Sequence, residues 1–254
     1  MGAPPLADRR WRSGFLAADC DRQTSGSHTD GGLVTWMETE RAALVETFRR
    51  ADPDAPTLCE GWTVRHLLAH LVQREHHPLR QAADVIARPR PGRERFLGRL
   101  VEQARTPAGY AALLETFAAG MSPRNPVGWA GDRAHHVEYV IHHEDVRRGR
   151  GPVDPRVLPP DQVRAIWAEL APLARLGYRR SPVGVVQAVP GGPRRVARRA
   201  PDAVVVAGDP VELALHASGR VEAADVDVVG RAETVERFLR WSGPTVAARE
   251  DVDA

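Results

Sequence analysis

The sequence predicts an α+β protein in which an antiparallel helical bundle precedes a smaller α+β domain. Helix-capping signals recur along the chain as far as Gly149, and they indicate the bundle. Beyond Pro182 the hydrophobic period changes, and short apolar runs alternate with Pro-Gly-Gly-Pro and Pro-Asp turns, a pattern typical of strands. A chain of 254 residues is long enough for one large domain or for two small domains with separate cores.

Composition divides the chain into two bodies with a tail at either end. Residues 1–33 are rich in Gly, Ser, Asp, Arg and Pro and show no helical or strand period. We therefore expect a disordered tail or a mis-assigned start codon, since Met37 also stands at the head of the first helix. The remaining predicted segments are a helical bundle over 34–150, a bridging helix within 151–180, a small α+β domain over 181–243 and a flexible tail over 244–254.

The bundle helices are predicted from their capping residues. Thr35 and Glu38 have capping-box spacing, Thr63 can cap a second helix, and Thr106-Pro107 is a cap followed by a favourable first position. Arginines at the end of the helix that follows Asp132 complement its dipole, and Gly149 ends it. The first predicted helix follows Thr35 and ends at about Arg50. The others are predicted to span Val64 to about His76, Gly92 to Ala104, Pro107 to about Ala119, and Arg133 to Arg148.

The second body is predicted to contain strands and two further helices. A bridging helix from Pro160 to Arg175 precedes it, and Pro172 should kink or shorten that helix. The predicted elements that follow are strands at Val183–Val189, Arg194–Arg198 and Ala203–Val206, a helix from Asp209-Pro210 to Ser218, a strand at Asp225–Val229, and a helix at Ala232–Trp241.

Composition also excludes several classes of protein. A formal net charge of only +2 argues against a dedicated nucleic-acid binder. No apolar run reaches the roughly 18–20 residues of a membrane helix, so we expect no membrane partner. Cys20 and Cys59 form no CxxC pair, which favours the reducing cytoplasm. All 35 basic residues are Arg, a bias that indicates a GC-rich genome such as an actinobacterium's.

Histidines are concentrated in the bundle, where eight of the ten lie between His66 and His143. Glu138 and His142 are spaced i, i+4, so both side chains lie on one face of their helix. His135 and Asp145 extend that stripe, and the apolar neighbours predict that it faces into the bundle; these neighbours are Val137, Val140 and Ile141. A buried row of Glu and His needs compensation, and a divalent metal such as zinc supplies it.

A third ligand must come from another helix, and His70 is the best candidate because it lies in an apolar stretch. His66, on the same face, is the competing choice, whereas His76 and His77 are expected to be solvated. Three protein ligands would leave open positions, which is typical of a catalytic zinc site.

Two alternatives to this interpretation stay open. Asp145 either accepts a hydrogen bond from a ligating imidazole, which would make it a candidate for a catalytic role, or forms a plain ion pair at the helix end. Glu144 and Asp145 could likewise simply pair with Arg147 and Arg148, without any metal.

Several motifs resemble a known family. Leu58-Cys59-Glu60-Gly61-Trp62-Thr63-Val64-Arg65, followed by Leu68-Ala69-His70-Leu71, resembles the opening of the mycothiol-dependent maleylpyruvate isomerase group. The segment Val137–Arg148 resembles the second motif of an actinobacterial, metal-binding branch, and weaker matches at Ser181–Val186 and Gly208–Leu213 fit that branch's C-terminal domain.

The resemblance implies a DinB-like antiparallel four-helix bundle with zinc ligands at His70, Glu138 and His142, the trio that spacing also indicates. Relatives commonly carry an acidic residue at position 66, so a fourth ligand at His66 stays open.

The resemblance further implies a metal-dependent thiol transferase or isomerase. Its metal, for which zinc is the first choice, would activate mycothiol or a similar thiol for attack on an electrophilic small molecule. The alternative is a non-catalytic metal- or ligand-binding module with a regulatory role, in which His66 or His135 would help to enclose the metal.

Cys59 could be a nucleophile, but packing with Trp62 is the favoured interpretation. The C-terminal arginines either grip an anionic substrate or are solvated; they are Arg179, Arg180, Arg194, Arg195, Arg198 and Arg199.

Overall fold

A computed structural model describes residues 35–87, 93–121 and 132–245 of the chain. The predicted tail over 1–33 and nearly all of the predicted tail over 244–254 lie outside these residues. Helices and one four-stranded sheet make up the described fold, which confirms the α+β prediction. None of the described helices is long and apolar enough to cross a membrane.

The first half of the described chain is helical. Its helices are α1 (Trp36–Arg50), α2 (Val64–His76), α3 (Pro78–Ala87), α4 (Arg95–Gln103), α5 (Pro107–Ala119) and α6 (Asp132–Arg147). Helix α1 packs against α5 and α6, and α2 packs against α3, α4 and α5. Helix α6 also contacts the second half of the chain, so it lies between the two halves.

Capping residues position these helices as predicted. The Thr35 hydroxyl accepts from the Glu38 N–H at 3.2 Å, and the Glu38 carboxylate accepts from the Thr35 N–H at 2.8 Å. The Thr106 hydroxyl accepts from the Gly109 N–H at 3.1 Å. At the start of α2 the capping partner of Thr63 is His66, whose Nδ1 lies 2.8 Å from the Thr63 hydroxyl.

Two helices differ from the prediction. Helix α3 was not predicted, because Pro78 resembles a helix break although proline is tolerated in the first turn. Helix α4 begins at Arg95 rather than Gly92, and the buried Asp84 of α3 fixes this start by accepting the N–H groups of Phe96 at 3.1 Å and Leu97 at 3.0 Å. A side chain distant in sequence thus caps α4, and local spacing does not reveal it.

The second half begins with two short helices, α7 (Pro160–Glu169) and α8 (Ala171–Gly177), separated at Leu170. Pro172 lies in the first turn of α8, and it shortens the predicted bridging helix as expected. The remaining elements are β1 (Gly184–Ala188), β2 (Arg194–Arg198), β3 (Ala203–Ala207), α9 (Pro210–Ala217), β4 (Asp227–Val229) and α10 (Ala232–Ser242).

The sheet has the strand order β2-β1-β3-β4. Strand β1 is parallel to β3 and antiparallel to β2, while β4 is antiparallel to β3. The central strands bury Val185, Val204 and Val206 completely, and these side chains form one core with α8, α9 and α10.

Helix α6 contributes to two separate cores. Tyr139 packs in the core of the first half, whereas Val137 and Ile141 pack in the core of the second half. The prediction that Val137 and Ile141 face into the bundle is therefore wrong. Their partners lie more than 20 residues further along the chain, and the helical period alone does not identify them.

Candidate metal centre

Helices α2 and α6 bring together the three residues predicted to bind a metal. One ligand atom from each of His70, Glu138 and His142 lies within 4.8 Å of the other two. His142 Nε2 is 3.9 Å from Glu138 Oε1, and the rings of His70 and His142 have centroids 5.4 Å apart. Glu138 and His142 meet because residues four apart share a helix face. The bound metal itself stays a prediction.

Asp145 orients the ring of His142. Its Oδ2 lies 2.9 Å from His142 Nδ1, and because an ionised carboxylate only accepts, this nitrogen carries the proton. The other ring nitrogen, Nε2, is the one that faces Glu138. A carboxylate partner of this kind is typical of histidines that bind metals.

Arg220 holds Asp145 in turn. Its Nε donates to Asp145 Oδ1 at 2.9 Å, and its Nη2 donates to Oδ2 at 2.7 Å. Burial raises the pKa of Asp145, but hydrogen bonds from His142 and Arg220 outweigh it, so the pKa lies well below its usual range. Arg147 does not pair with Asp145; it binds Glu144 at 2.8 Å. Asp145 thus bonds to the His142 imidazole and to a distant arginine, and its predicted role toward a metal-ligating imidazole stays a prediction.

His70 is held in its neutral form. Its ring lies 5.0 Å from the Trp62 ring and faces His142. Burial, with the nearby His142 and Arg74, lowers the pKa of His70 to about 3. A neutral imidazole is the form that binds a metal.

Arg74 contacts the site and was missed by sequence reasoning. Its guanidinium forms an ion pair with the Glu138 carboxylate, and its Nη1 lies 3.1 Å from His135 Nδ1. Burial lowers the pKa of Arg74. The available signal was its position four residues after His70 on α2, which places both on one face.

The other predicted histidines lie apart from the trio. His66 caps α2, and the buried His135 stacks on Tyr139. Neither belongs to a group of convergent ligand atoms among the residues that the structure describes. His76 and His77 are half-buried, so the prediction that they are solvated is wrong.

Cys59 is engaged in the same region. Its Sγ lies 3.2 Å from Asp145 Oδ2 and 3.2 Å from Arg220 Nη2. Burial and the charge of Asp145 raise the pKa of Cys59 to about 12, which opposes a role as a nucleophile. Cys59 and Trp62 both pack against the first core, as expected.

Two cavities open beside His142. The larger, of about 870 Å³, is lined by Arg74, Glu138, Leu173 and other residues of both halves of the chain. The smaller, of about 510 Å³, is lined by Cys59, Trp62 and His70 among others. His142 and Arg220 border both cavities, so the proposed ligands lie within reach of a small molecule.

A second group of polar side chains, around the C-terminal end of α6, consists of carboxylates paired with arginines and a histidine. Glu40 accepts from His143 Nδ1 at 2.8 Å and from Arg156 at 2.7 Å. Arg148 binds Glu144 at 2.7 Å and grips Glu212 with two hydrogen bonds of 2.9 and 2.6 Å. We call this group the paired cluster; it consists of Glu40, His143, Glu144, Arg148, Arg156 and Glu212.

Two of the C-terminal arginines contact the protein itself. Arg195 lies 3.5 Å above the Trp167 ring and donates to the Trp167 carbonyl, while Arg198 donates to the Arg179 carbonyl. Each guanidinium group thus has a backbone carbonyl partner, while the Nε of each is buried without a hydrogen-bond partner among the described residues.

Residues 37–126 match the family model of the mycothiol maleylpyruvate isomerase N-terminal domain. No curated protein matches the chain. A solved structure of a mutant of the mycothiol-dependent maleylpyruvate isomerase covers 77% of this chain and 90% of its own, with 18% identity and a TM-score of 0.50. A second structure of that isomerase has the same coverage, with 20% identity and a TM-score of 0.49.

These identities are low, and the first structure supports a likeness of fold alone. The family match covers α1 to α5 and includes His70, while Glu138 and His142 follow it. Residues 37–126 are therefore similar to a mycothiol maleylpyruvate isomerase N-terminal domain.

Proposed function

We propose that this chain is a metal-dependent enzyme of the mycothiol-dependent isomerase or transferase type. In this proposal His70, Glu138 and His142 hold a divalent cation, with zinc preferred. The observation that carries the proposal is the convergence of these three ligand atoms within 4.8 Å, beside a cavity of about 870 Å³.

The chemistry of the three residues fits zinc. Asp145 fixes the proton on His142 Nδ1 and leaves Nε2 available, and burial keeps His70 neutral. Two imidazoles and one carboxylate form a known catalytic set for zinc, and such sets leave a coordination position open. His66 and His135 have other partners, and this supports an enzyme over a module that encloses its metal.

A bound divalent cation would favour the thiolate form of a thiol ligand, and the thiolate is the nucleophile. Mycothiol is the proposed cosubstrate because the matched domain is named for it. The electrophile would occupy the larger cavity, where Val137, Ile141 and Leu173 form apolar walls.

Asp145 acts through His142 in this proposal, so we assign it a positioning role. It accepts the Nδ1 proton and thereby aims Nε2 at the centre of the site. Arg220 holds the carboxylate from the second half of the chain. The DinB-like four-helix arrangement, a cytoplasmic location and an actinobacterial source belong to the same proposal.

A spectroscopic titration tests the proposed function. Co²⁺ is loaded into the protein, and mycothiol is added while the visible spectrum and proton release are followed. We expect a shift toward sulfur ligation with release of protons, because the thiolate is the ligand. The Glu138→Ala protein should show neither change, whereas the His77→Ala control should behave as wild type.

A cobalt spectrum that is indifferent to mycothiol and to other small thiols would contradict thiol activation. The non-catalytic metal-binding module would then be the better account.

A further inference from the structure

Arg74 shares a carboxylate with the proposed metal. Its guanidinium forms an ion pair with Glu138, one of the three convergent ligands. Glu138 Oε1 faces His142 Nε2 at 3.9 Å, while the ion pair is made through Oε2. Arg74 follows His70 by four residues on α2, so it lies beside two of the proposed ligands.

Both carboxylates at the site already have a cationic partner without a metal. His142 Nδ1 donates to Asp145, which forms an ion pair with Arg220. Glu138 then supplies one negative charge, and Arg74 supplies one positive charge. A divalent cation at this site would therefore bind a carboxylate that already has a cationic partner.

We propose that Arg74 is a resident counter-cation that competes with the metal for the Glu138 carboxylate and so sets the metal affinity of the site. This inference rests on the proposed metal site. Two like charges a few ångströms apart repel strongly in a partly buried environment, so the metal must displace Arg74 or bind against its charge.

Open space beside the Arg74 guanidinium would allow it to move away from Glu138. The side chains of Arg74 and Glu138 are 21% and 20% exposed, and both line the larger cavity. His135 Nδ1 lies 3.1 Å from Arg74 Nη1 and 3.9 Å from Glu138 Oε2. Arg74 is thus anchored beside Glu138 and still borders open space.

The test is a zinc titration of the purified protein against a competing chelator. We expect Arg74→Gln to bind zinc at least about tenfold more tightly than wild type, because it removes the competing charge. Arg74→Lys keeps that charge, so its affinity should stay close to wild type. Arg240→Gln removes one charge from an exposed pair in α10 and should change nothing.

Equal or weaker zinc binding by Arg74→Gln would overturn this inference, because it would show that Arg74 supports Glu138 rather than competing for it. Arg74→Met, which also lacks the charge, makes the same test if Arg74→Gln does not fold. A wild-type protein without Glu138-dependent zinc binding would overturn the proposed metal site as well.

Discussion

Two groups of histidines and carboxylates include residues of helix α6, and they differ in the partners of their carboxylates and imidazoles. In the paired cluster, the carboxylates of Glu40, Glu144 and Glu212 all bind arginines at 2.6–2.9 Å. In the candidate metal centre, two imidazoles and one carboxylate converge beside a cavity. Both groups look alike in sequence, where His142, His143, Glu144 and Asp145 are consecutive.

The difference teaches that a high density of His and Glu does not identify a metal site. A buried carboxylate needs a compensating cation, and either an arginine or a metal can supply it. In the paired cluster the arginines leave no demand for a metal. In the candidate centre Glu138 also pairs with an arginine, Arg74, but ligand atoms of His70 and His142 converge with it beside a cavity, and Arg220 is directed to Asp145.

The largest effect on folding should come from breaking the paired cluster. Glu212→Ala removes the carboxylate that grips the buried Arg148 from the second half of the chain. We expect the free energy of unfolding to fall by about 3 kcal/mol, since the buried Arg148 loses one of its two carboxylate partners. Chemical denaturation measures this change.

A matched comparison is Glu236→Ala, which removes an exposed partner of Arg240 and should cost at most about 1 kcal/mol. Zinc content of the folded Glu212→Ala protein should be unchanged. A large loss of zinc there would show that the two groups are not independent.

The next effect concerns acid stability. Burial raises the pKa of Glu40, but the hydrogen bond from His143 and the charge of Arg156 outweigh it and lower the pKa from 4.5 to about 2. A depressed folded-state pKa stabilises the protein above the unfolded value, so this contribution of about 3 kcal/mol is lost as pH falls from about 4.5 to 2.

Glu40→Gln should flatten the fall of stability across this window, as measured by urea unfolding at several pH values. An unchanged slope would show that other carboxylates dominate acid unfolding.

The smallest effect should come from Asp145→Asn. The amide no longer provides an ionised partner for His142 Nδ1, and loss of such partners lowers metal affinity by about 10–100-fold. Zinc affinity by chelator competition measures it, and Cys59→Ser, which alters another neighbour of Asp145, serves as the control. An unchanged zinc affinity in Asp145→Asn would show that Asp145 does not act on the metal through His142. Its role would then be limited to the ion pair with Arg220.

Local signals predicted much of the fold. The starts of α1, α2 and α5 follow from Thr35, Thr63 and Thr106, because a cap acts within one helical turn. Helix α3 was missed at Pro78, although Leu79 and Ile86 recur at helical spacing; both are exposed, at 86% and 79%, so this stripe does not face the core.

The candidate site was predictable only in part. Glu138 and His142 follow from spacing on one helix, and the apolar setting of His70 singled it out on another. The partners Arg74 and Arg220 decide the charge of the site, and Arg220 comes from the second half of the chain. The spacing of residues in the sequence does not reveal this tertiary contact between Arg220 and Asp145.

Zinc content of purified variants tests the central claim most directly. The account predicts stoichiometric zinc in wild type and in His77→Ala, and none in His70→Ala, Glu138→Ala or His142→Ala. His143→Gln, in the paired cluster, should keep its zinc. Full zinc occupancy in all three alanine variants, or loss of zinc from His143→Gln alone, would contradict the account.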